Sequence, residues 1–283
     1  MSFDPRITPA RGDLAAVHLN GKVDAPRFVE GEARIVIDTS APLRRAPRHD
    51  AALDTEALYG ERVIVYDIDG EGWAWGQIES DGYVGYLPAN ALVHPGAKPT
   101  HAVRAPRTFL YHEPDIKAPP VMPLSFGSFV TVRKSEKEFS FTERGAIFSK
   151  HFAPVTEHEP DIVATAQKFL GTPYLWGGKT SLGLDCSALV QLSLSAAGMK
   201  CPRDSDMQEK ALGDPIPLEK LQRGDLVFWK GHVAIAFDPE TLIHANAFHM
   251  AVAVEPLANA VERIAALGTR VSSVKRLKPQ SSS

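Results

Sequence analysis

Between Gly171 and Gly198 the chain reads GTPYLWGGKTSLGLDCSALVQLSLSAAG, a loop of glycines and aromatics running into an acid, a cysteine and a helical apolar pattern. Ala188, Leu189, Leu192 and Ala196 recur at helical spacing and form one face, and Gly198 supplies a stop. Asp185 suits the N-cap, which puts Cys186 in the first turn of the helix. There the unpaired N–H groups and the positive end of the helix dipole favour a thiolate over a thiol. The same N–H groups can hold an oxyanion once a carbonyl is attacked. The plain alternative is a small buried core cysteine.

Two histidines downstream bear on that choice. His232 opens HVAIAF and His244 lies in TLIHAN, with Asp238-Pro239-Glu240 as the turn between two strands. A turn centred on Pro239 sets His232 opposite Asn246 and His244 opposite Ala234. Both histidines then share one face as diagonal neighbours. That geometry suits a base whose ring is oriented by a second polar group. Taken singly, each histidine reads more simply as a satisfied structural residue.

Ahead of this region the grammar is different. ARIVI, ERVIVY, WAWGQI and YVGYL are short strand-like runs separated by turn residues, and they define a segment of residues 33–95. A second segment, 100–156, repeats the pattern. A shift of 67 residues aligns Tyr59-Gly60 with Phe126-Gly127, Val63 with Val130 and Val65 with Val132. Two small β-barrels are expected. The closing DGYVGY resembles bacterial SH3-like domains. HEPDIKAPP is a Pro-rich loop inside the second copy. Residues 1–32 read as an arm with one short helix over 13–19, and the terminal PQSSS as a disordered end.

The main boundary falls near VTEHEPD, residues 155–161, where Glu159-Pro160-Asp161 introduces a helix, IVATAQKFLG, ending at Gly171. After Cys186 and its helix come DLVFW, HVAIAF, TLIHAN, MAVAV and TRVSSVKRL, all strand-like. Helices first and an antiparallel sheet after indicate an α+β domain over 158–278.

TPYLWGG, LDCSALVQ, RGDLVFW-KGHVAIAF and LIHAN together resemble the NlpC/p60 cysteine peptidases. The resemblance implies a papain-like catalytic domain preceded by two small all-β SH3-like barrels. It implies Cys186 as nucleophile, His232 as base, His244 as the residue orienting that base, and Tyr174 as an oxyanion partner. A subgroup with N-terminal SH3-like domains cuts γ-D-glutamyl–diamino acid bonds of murein peptides carrying a free N-terminal L-alanine, and this chain is similar to it over nearly its whole length. Trp176, Asp185, Ser187, Arg203, Asp204 and Ser205 match positions lining that pocket. Asp204 and Asp185 would receive an ammonium group, Ser187 and Ser205 would bond peptide groups, and Trp176 would give an apolar wall. Glu61 and Tyr83 of the first barrel resemble residues that meet the substrate amine. The bland alternatives are a cap for Asp185, a solvated loop pair for Arg203-Asp204, core for Trp176, a strand-edge charge for Glu61 and a barrel aromatic for Tyr83.

Composition narrows the remaining classes. A formal charge of -3 with 23% charged residues gives no reason to expect nucleic acid or an anionic membrane surface as partner. No cofactor is expected, and no metal, because Cys201, His244 and His249 lack ligand spacing. Two cysteines are too few for a disulfide scaffold. The first residues hold no basic segment followed by an apolar run, so the expectation is a cytoplasmic protein recycling murein peptides. The rival readings are an exported hydrolase acting on intact wall, a non-catalytic wall-binding protein, and an acyltransferase on the same fold. Labelling of Cys186 by iodoacetamide near neutral pH separates an active thiol from an inert one.

Overall fold

The structure, a computed structural model, describes residues 3–278. The chain divides into two compact units, Met1–Thr156 and Glu157–Ser283. The PQSSS end lies outside the described residues.

The first unit is all-β. Its arm differs from the expected helix over 13–19: Leu14–Ala16 is a strand in a three-stranded sheet with Ala10–Arg11 and Phe28–Val29, followed by a single 3-10 turn, Val17–Leu19. Leu14, Ala15 and Ala16 are all fully buried. Three consecutive buried residues suit a covered strand, whereas a helix would turn one of them outward. Arg11 ties the arm down by pairing with Asp67 and lying over the Trp75 ring at 4.9 Å.

The first barrel is a seven-stranded sheet. Arg62–Ile68, Trp73–Ile78 and Val84–Pro88 form its meander, and alternate residues such as Val63, Val65, Ile78 and Leu87 fill the core. Ser40–Arg44 and Leu53–Leu58 are further strands that sequence reasoning missed. They carry Pro, Asp and Glu, which are poor strand formers. Their place comes from pairing with each other and from the burial of Ala41, Leu43 and Ala57.

The second all-β body has one sheet of three strands and one of five around Val103, Leu110, Leu124, Val130 and Ile147. The 67-residue shift holds in backbone hydrogen bonds. Gly60 N–H donates to Val36 O at 2.9 Å and Gly127 N–H to Val103 O at 3.0 Å. Val36 N–H donates to Glu61 O and Val103 N–H to Ser128 O. Gly60 and Gly127 both adopt positive φ, 80° and 85°. A Cβ on Gly60 would also lie 2.2 Å from the Phe129 carbonyl oxygen, so this turn is where the two bodies meet backbone to backbone.

The second unit is α+β. Helix α1, Ile162–Gln167, is capped by Asp161, whose carboxylate accepts from the N–H groups of Val163 and Ala164. Helix α2 is Cys186–Ala196, and Gly198 at φ 76° ends it. Helix α3 is Ser205–Ala211. The sheet runs through β1 (Leu226–Trp229), β2 (His232–Ala236), β3 (Thr241–Asn246), β4 (Ala251–Pro256) and β5 (Val271–Arg276), all pairs antiparallel, in the order β5-β1-β2-β3-β4 with Asp214–Pro215 on the β5 edge. Helix α4, Leu257–Ala266, was not expected; it follows Pro256 directly with no polar cap and sits between two strand-like runs. Its Ala260, Leu257, Val261 and Ile264 pack on Val227, Trp229, Ala234, Ala236, Leu242 and Val274.

Candidate active site

Asp185 is the N-cap of α2, and its Oδ1 accepts from Ala188 N–H at 2.8 Å. That cap places Cys186 at the first helical position, with its side chain buried. The backbone N–H groups of Val233 and Ser187 bond the sulfur. Val233 directly follows His232, so the start of β2 lies against the first turn of α2.

The hairpin has the expected register. Ile235 pairs with Ile243 and Ala236 with Leu242, a count centred on residue 239, and Asp238 closes the turn by accepting from Glu240 N–H, Thr241 N–H and the Thr241 hydroxyl. His232 Nε2 lies 2.8 Å from His244 Nδ1. The Nδ1 of His232 is therefore the ring nitrogen that His244 leaves open. His244 Nε2 is in turn 2.7 Å from Glu255 Oε1, and Arg263 Nη2 donates to the same oxygen. Glu255 is the residue that sequence reasoning missed. It pairs across from Leu242 and so shares the face of His244; a carboxylate near the end of the apolar run MAVAVEP was the available signal.

Electrostatics reverse one expectation. Burial pushes the Cys186 thiol up to about 12, and the Asp185 carboxylate pushes the same way; the Val233 N–H, the Arg203 charge and the Ser187 N–H offset this only in part. His232 is pushed down to about 3, first by burial, then by His244 and Arg263, against Glu255 and Asp185. Both shifts favour the uncharged form of each group, against the thiolate that a helix N-terminus by itself favours. Tyr174 is half-buried, and its phenol is held above its usual range by burial and then by the charges of Cys186 and Asp185.

The remaining residues separate. Asp185 does not stand open to an ammonium group. Its two oxygens already accept from Gly177 N–H, Ala188 N–H, the Ser187 hydroxyl and both Arg203 Nη atoms. Arg203 is no solvated loop residue: it is 1% exposed and also reaches Gly178 O and Ser187 Oγ. Ser187 donates its proton to Asp185, so it retains acceptor capacity alone toward a ligand. Asp204 is half-buried at the start of α3 without capping it, and Ser205 beside it is buried. Trp176 is 69% exposed and so is not core. In the first unit, Glu61 is buried and accepts from Leu58 N–H and Ser80 Oγ, which corrects the strand-edge reading. Tyr83 packs in the barrel core. Cys186 and Cys201 are free thiols, and among the described residues no group of three His, Cys, Asp or Glu could hold a metal ion. No helix among them is long and apolar enough to cross a membrane.

The model for the bacterial dipeptidyl-peptidase SH3 domain matches residues 43–92, and that for the NlpC/P60 family matches residues 171–270. Dipeptidyl-peptidase 6 of Lysinibacillus sphaericus is 28% identical over 75% of this chain and 87% of its own length. The γ-D-glutamyl-L-lysine dipeptidyl-peptidase of Bacillus subtilis is 32% identical over 64% of this chain and 65% of its own length. The crystal structure of an NlpC/P60 family protein from Bacillus cereus superposes with a TM-score of 0.75 at 23% identity, over 88% of this chain and all of that one, which establishes likeness of fold.

Proposed function

This chain belongs to the NlpC/P60 cysteine peptidases, and from that premise we propose that it hydrolyses the γ-D-glutamyl–diamino acid bond of murein peptides with a free N-terminal L-alanine. The observation that carries the reading is the Cys186 sulfur bonded by the N–H of Val233, the residue directly after His232, whose ring bonds His244. The dipeptidyl-peptidase names of the relatives support the substrate class.

As the Cys186 sulfur attacks the carbonyl carbon, the thiol proton passes to His232 Nδ1 and the carbonyl π electrons move to oxygen. N–H groups at the start of α2 and the Tyr174 hydroxyl stabilise that oxyanion. His232 then protonates the departing amine as the C–N bond breaks, leaving a thioester. Water attacks the thioester with His232 as base, releasing the γ-glutamyl dipeptide and restoring the thiol. His244 holds the ring of His232 throughout. Asp204 and Ser205 take the amino end and the peptide groups of the substrate, and Trp176 forms an apolar wall. The Asp185–Arg203 pair holds the loop on which Trp176 stands. The two free thiols are compatible with a reducing compartment, so we assign the reaction to recycling of peptides in the cytoplasm.

The test is hydrolysis of L-Ala-γ-D-Glu-meso-diaminopimelate beside its N-acetylated form, with Cys186→Ala as control. Cleavage of the free-amine peptide alone, lost in the variant, supports the proposal. Equal cleavage of both overturns the free-amine requirement and favours a general wall hydrolase. Cleavage of neither overturns the substrate assignment.

A further inference from the structure

The line of histidines ends on a buried carboxylate that the reaction described above does not use. Glu255 and His244 have side chains 7% and 0% exposed, and their Oε1···Nε2 distance is 2.7 Å. Arg263, on α4, bonds the same Glu255 oxygen and stacks on the Phe248 ring at 4.4 Å. An ionised carboxylate accepts and does not donate. His244 Nε2 must therefore carry its hydrogen, and in neutral His244 the lone pair lies on Nδ1. That lone pair accepts from His232 Nε2–H, which leaves the lone pair of His232 on Nδ1.

We propose that Glu255 and Arg263 are positioning residues of this active site: Glu255 sets the tautomers of both histidines so that His232 Nδ1 accepts the thiol proton, and Arg263 holds that carboxylate and balances its charge. The inference rests on the proposed roles of Cys186 and His232. Its physical content is directional. Without the carboxylate, His244 is free to carry its hydrogen on Nδ1. Its hydrogen would then oppose His232 Nε2–H, and His232 would have to turn or to protonate on Nδ1, the position the thiol proton needs. Without the Arg263 charge, the unbalanced carboxylate favours the charged form of His232.

The charged and titratable groups that act on His232 are His244 on β3, Glu255 at the end of β4, Arg263 on α4, and Asp185, the cap of α2. Glu255 and Asp185 favour a charged ring, whereas Arg263 and His244 oppose it. Removal of Arg263 and removal of Glu255 therefore act in opposite senses on the acid limb of the pH profile, which general loosening of the fold would not produce.

The experiment compares wild type, Glu255→Gln, Glu255→Asp and Arg263→Gln. Their folded state is checked by circular dichroism and urea midpoint. The readouts are kcat, KM, the pH profile, and side-chain 15N shifts of both histidines. Glu255→Gln is expected to lose about a hundredfold in kcat, the scale of general acid–base assistance, with KM little changed, while His244 leaves its pure Nε2–H form. Glu255→Asp is expected to recover part of that loss. Arg263→Gln is expected to move the acid limb of kcat/KM to higher pH. Wild-type kcat and an unchanged His244 tautomer in Glu255→Gln would overturn the role of Glu255, and an unmoved acid limb in Arg263→Gln would overturn that of Arg263. If wild type cleaves none of the peptides, the substrate proposal fails, and the 15N tautomers still decide this one.

Discussion

Arg203 grips Asp185 with two parallel bonds, Nη1 to Oδ1 at 2.8 Å and Nη2 to Oδ2 at 2.7 Å, directly beneath the cysteine that Asp185 caps. The guanidinium fork matches the carboxylate plane, and its remaining hydrogen bonds to Gly178 O and Ser187 Oγ tie the aromatic loop to α2.

Removing one partner of so buried a pair leaves an uncompensated charge. Arg203→Met is expected to lose about 3–5 kcal/mol of stability by urea denaturation. Arg203→Lys should also fall well short of wild type, because a single ammonium cannot satisfy both oxygens. An unchanged midpoint in Arg203→Met would show that the pair does not hold this loop.

Thiol reactivity follows from burial. With Cys186 pushed up to about 12, alkylation of the free enzyme by iodoacetamide is expected to be slow at pH 7 and to rise about tenfold per pH unit through the alkaline range, tracking thiolate. Rapid labelling that is flat between pH 6 and 8 would mean a thiolate–imidazolium pair at rest.

Stability against acid has a definite sign at His232. Its folded value is depressed from 6.5 to about 3. Below 6.5 the unfolded chain binds a proton that the folded ring refuses. Its share of stability is therefore complete above that value and is lost as pH falls toward 3. The urea midpoint measured from pH 7 to 4 should fall less steeply in His232→Phe than in wild type. Equal slopes would remove His232 from the acid response.

Trp176 offers a separation of stability from binding. A side chain 69% exposed contributes little to folding, so Trp176→Ala should shift stability by less than about 0.5 kcal/mol while raising KM for the peptide several-fold. A large loss of stability with unchanged KM would return the residue to a structural role.

Gly60 tests the junction between the two all-β bodies. Gly60→Ala meets a φ of 80° and the Phe129 carbonyl, and it should cost about 1–3 kcal/mol. Gly21→Ala, at φ 76° with open space around its Cβ, serves as the control. Equal losses in both by calorimetry would show that the contact with Phe129 is inconsequential.

Local rules made much of the second unit legible. Asp185 before a helical apolar pattern, Gly198 after it, and Asp238-Pro239-Glu240 between two alternating runs are short-range signals. The structure places the cap, the stop and the hairpin register where those signals put them. The 67-residue repeat was legible for the same reason, since Gly60 and Gly127 mark equivalent turns. The arm misled because Leu14–Ala16 has no strong local preference and its state comes from cover on both sides. Helix α4 escaped notice because it lacks a polar cap and follows a proline that closes a strand.

What the sequence determined by itself is the short-range frame of the second unit, the cap of α2 at Asp185, the stop at Gly198 and the hairpin that carries His232 and His244, because capping, periodicity and turn chemistry act over a few residues. Tertiary structure decided what those residues are surrounded by. Desolvation pushes the Cys186 thiol up against the helix dipole, Arg203 saturates the carboxylate of Asp185, and Glu255 reaches His244 from β4 while Arg263 holds the same carboxylate from α4. Those effects depend on burial and on charges brought together across the fold, and no window of neighbouring residues contains them.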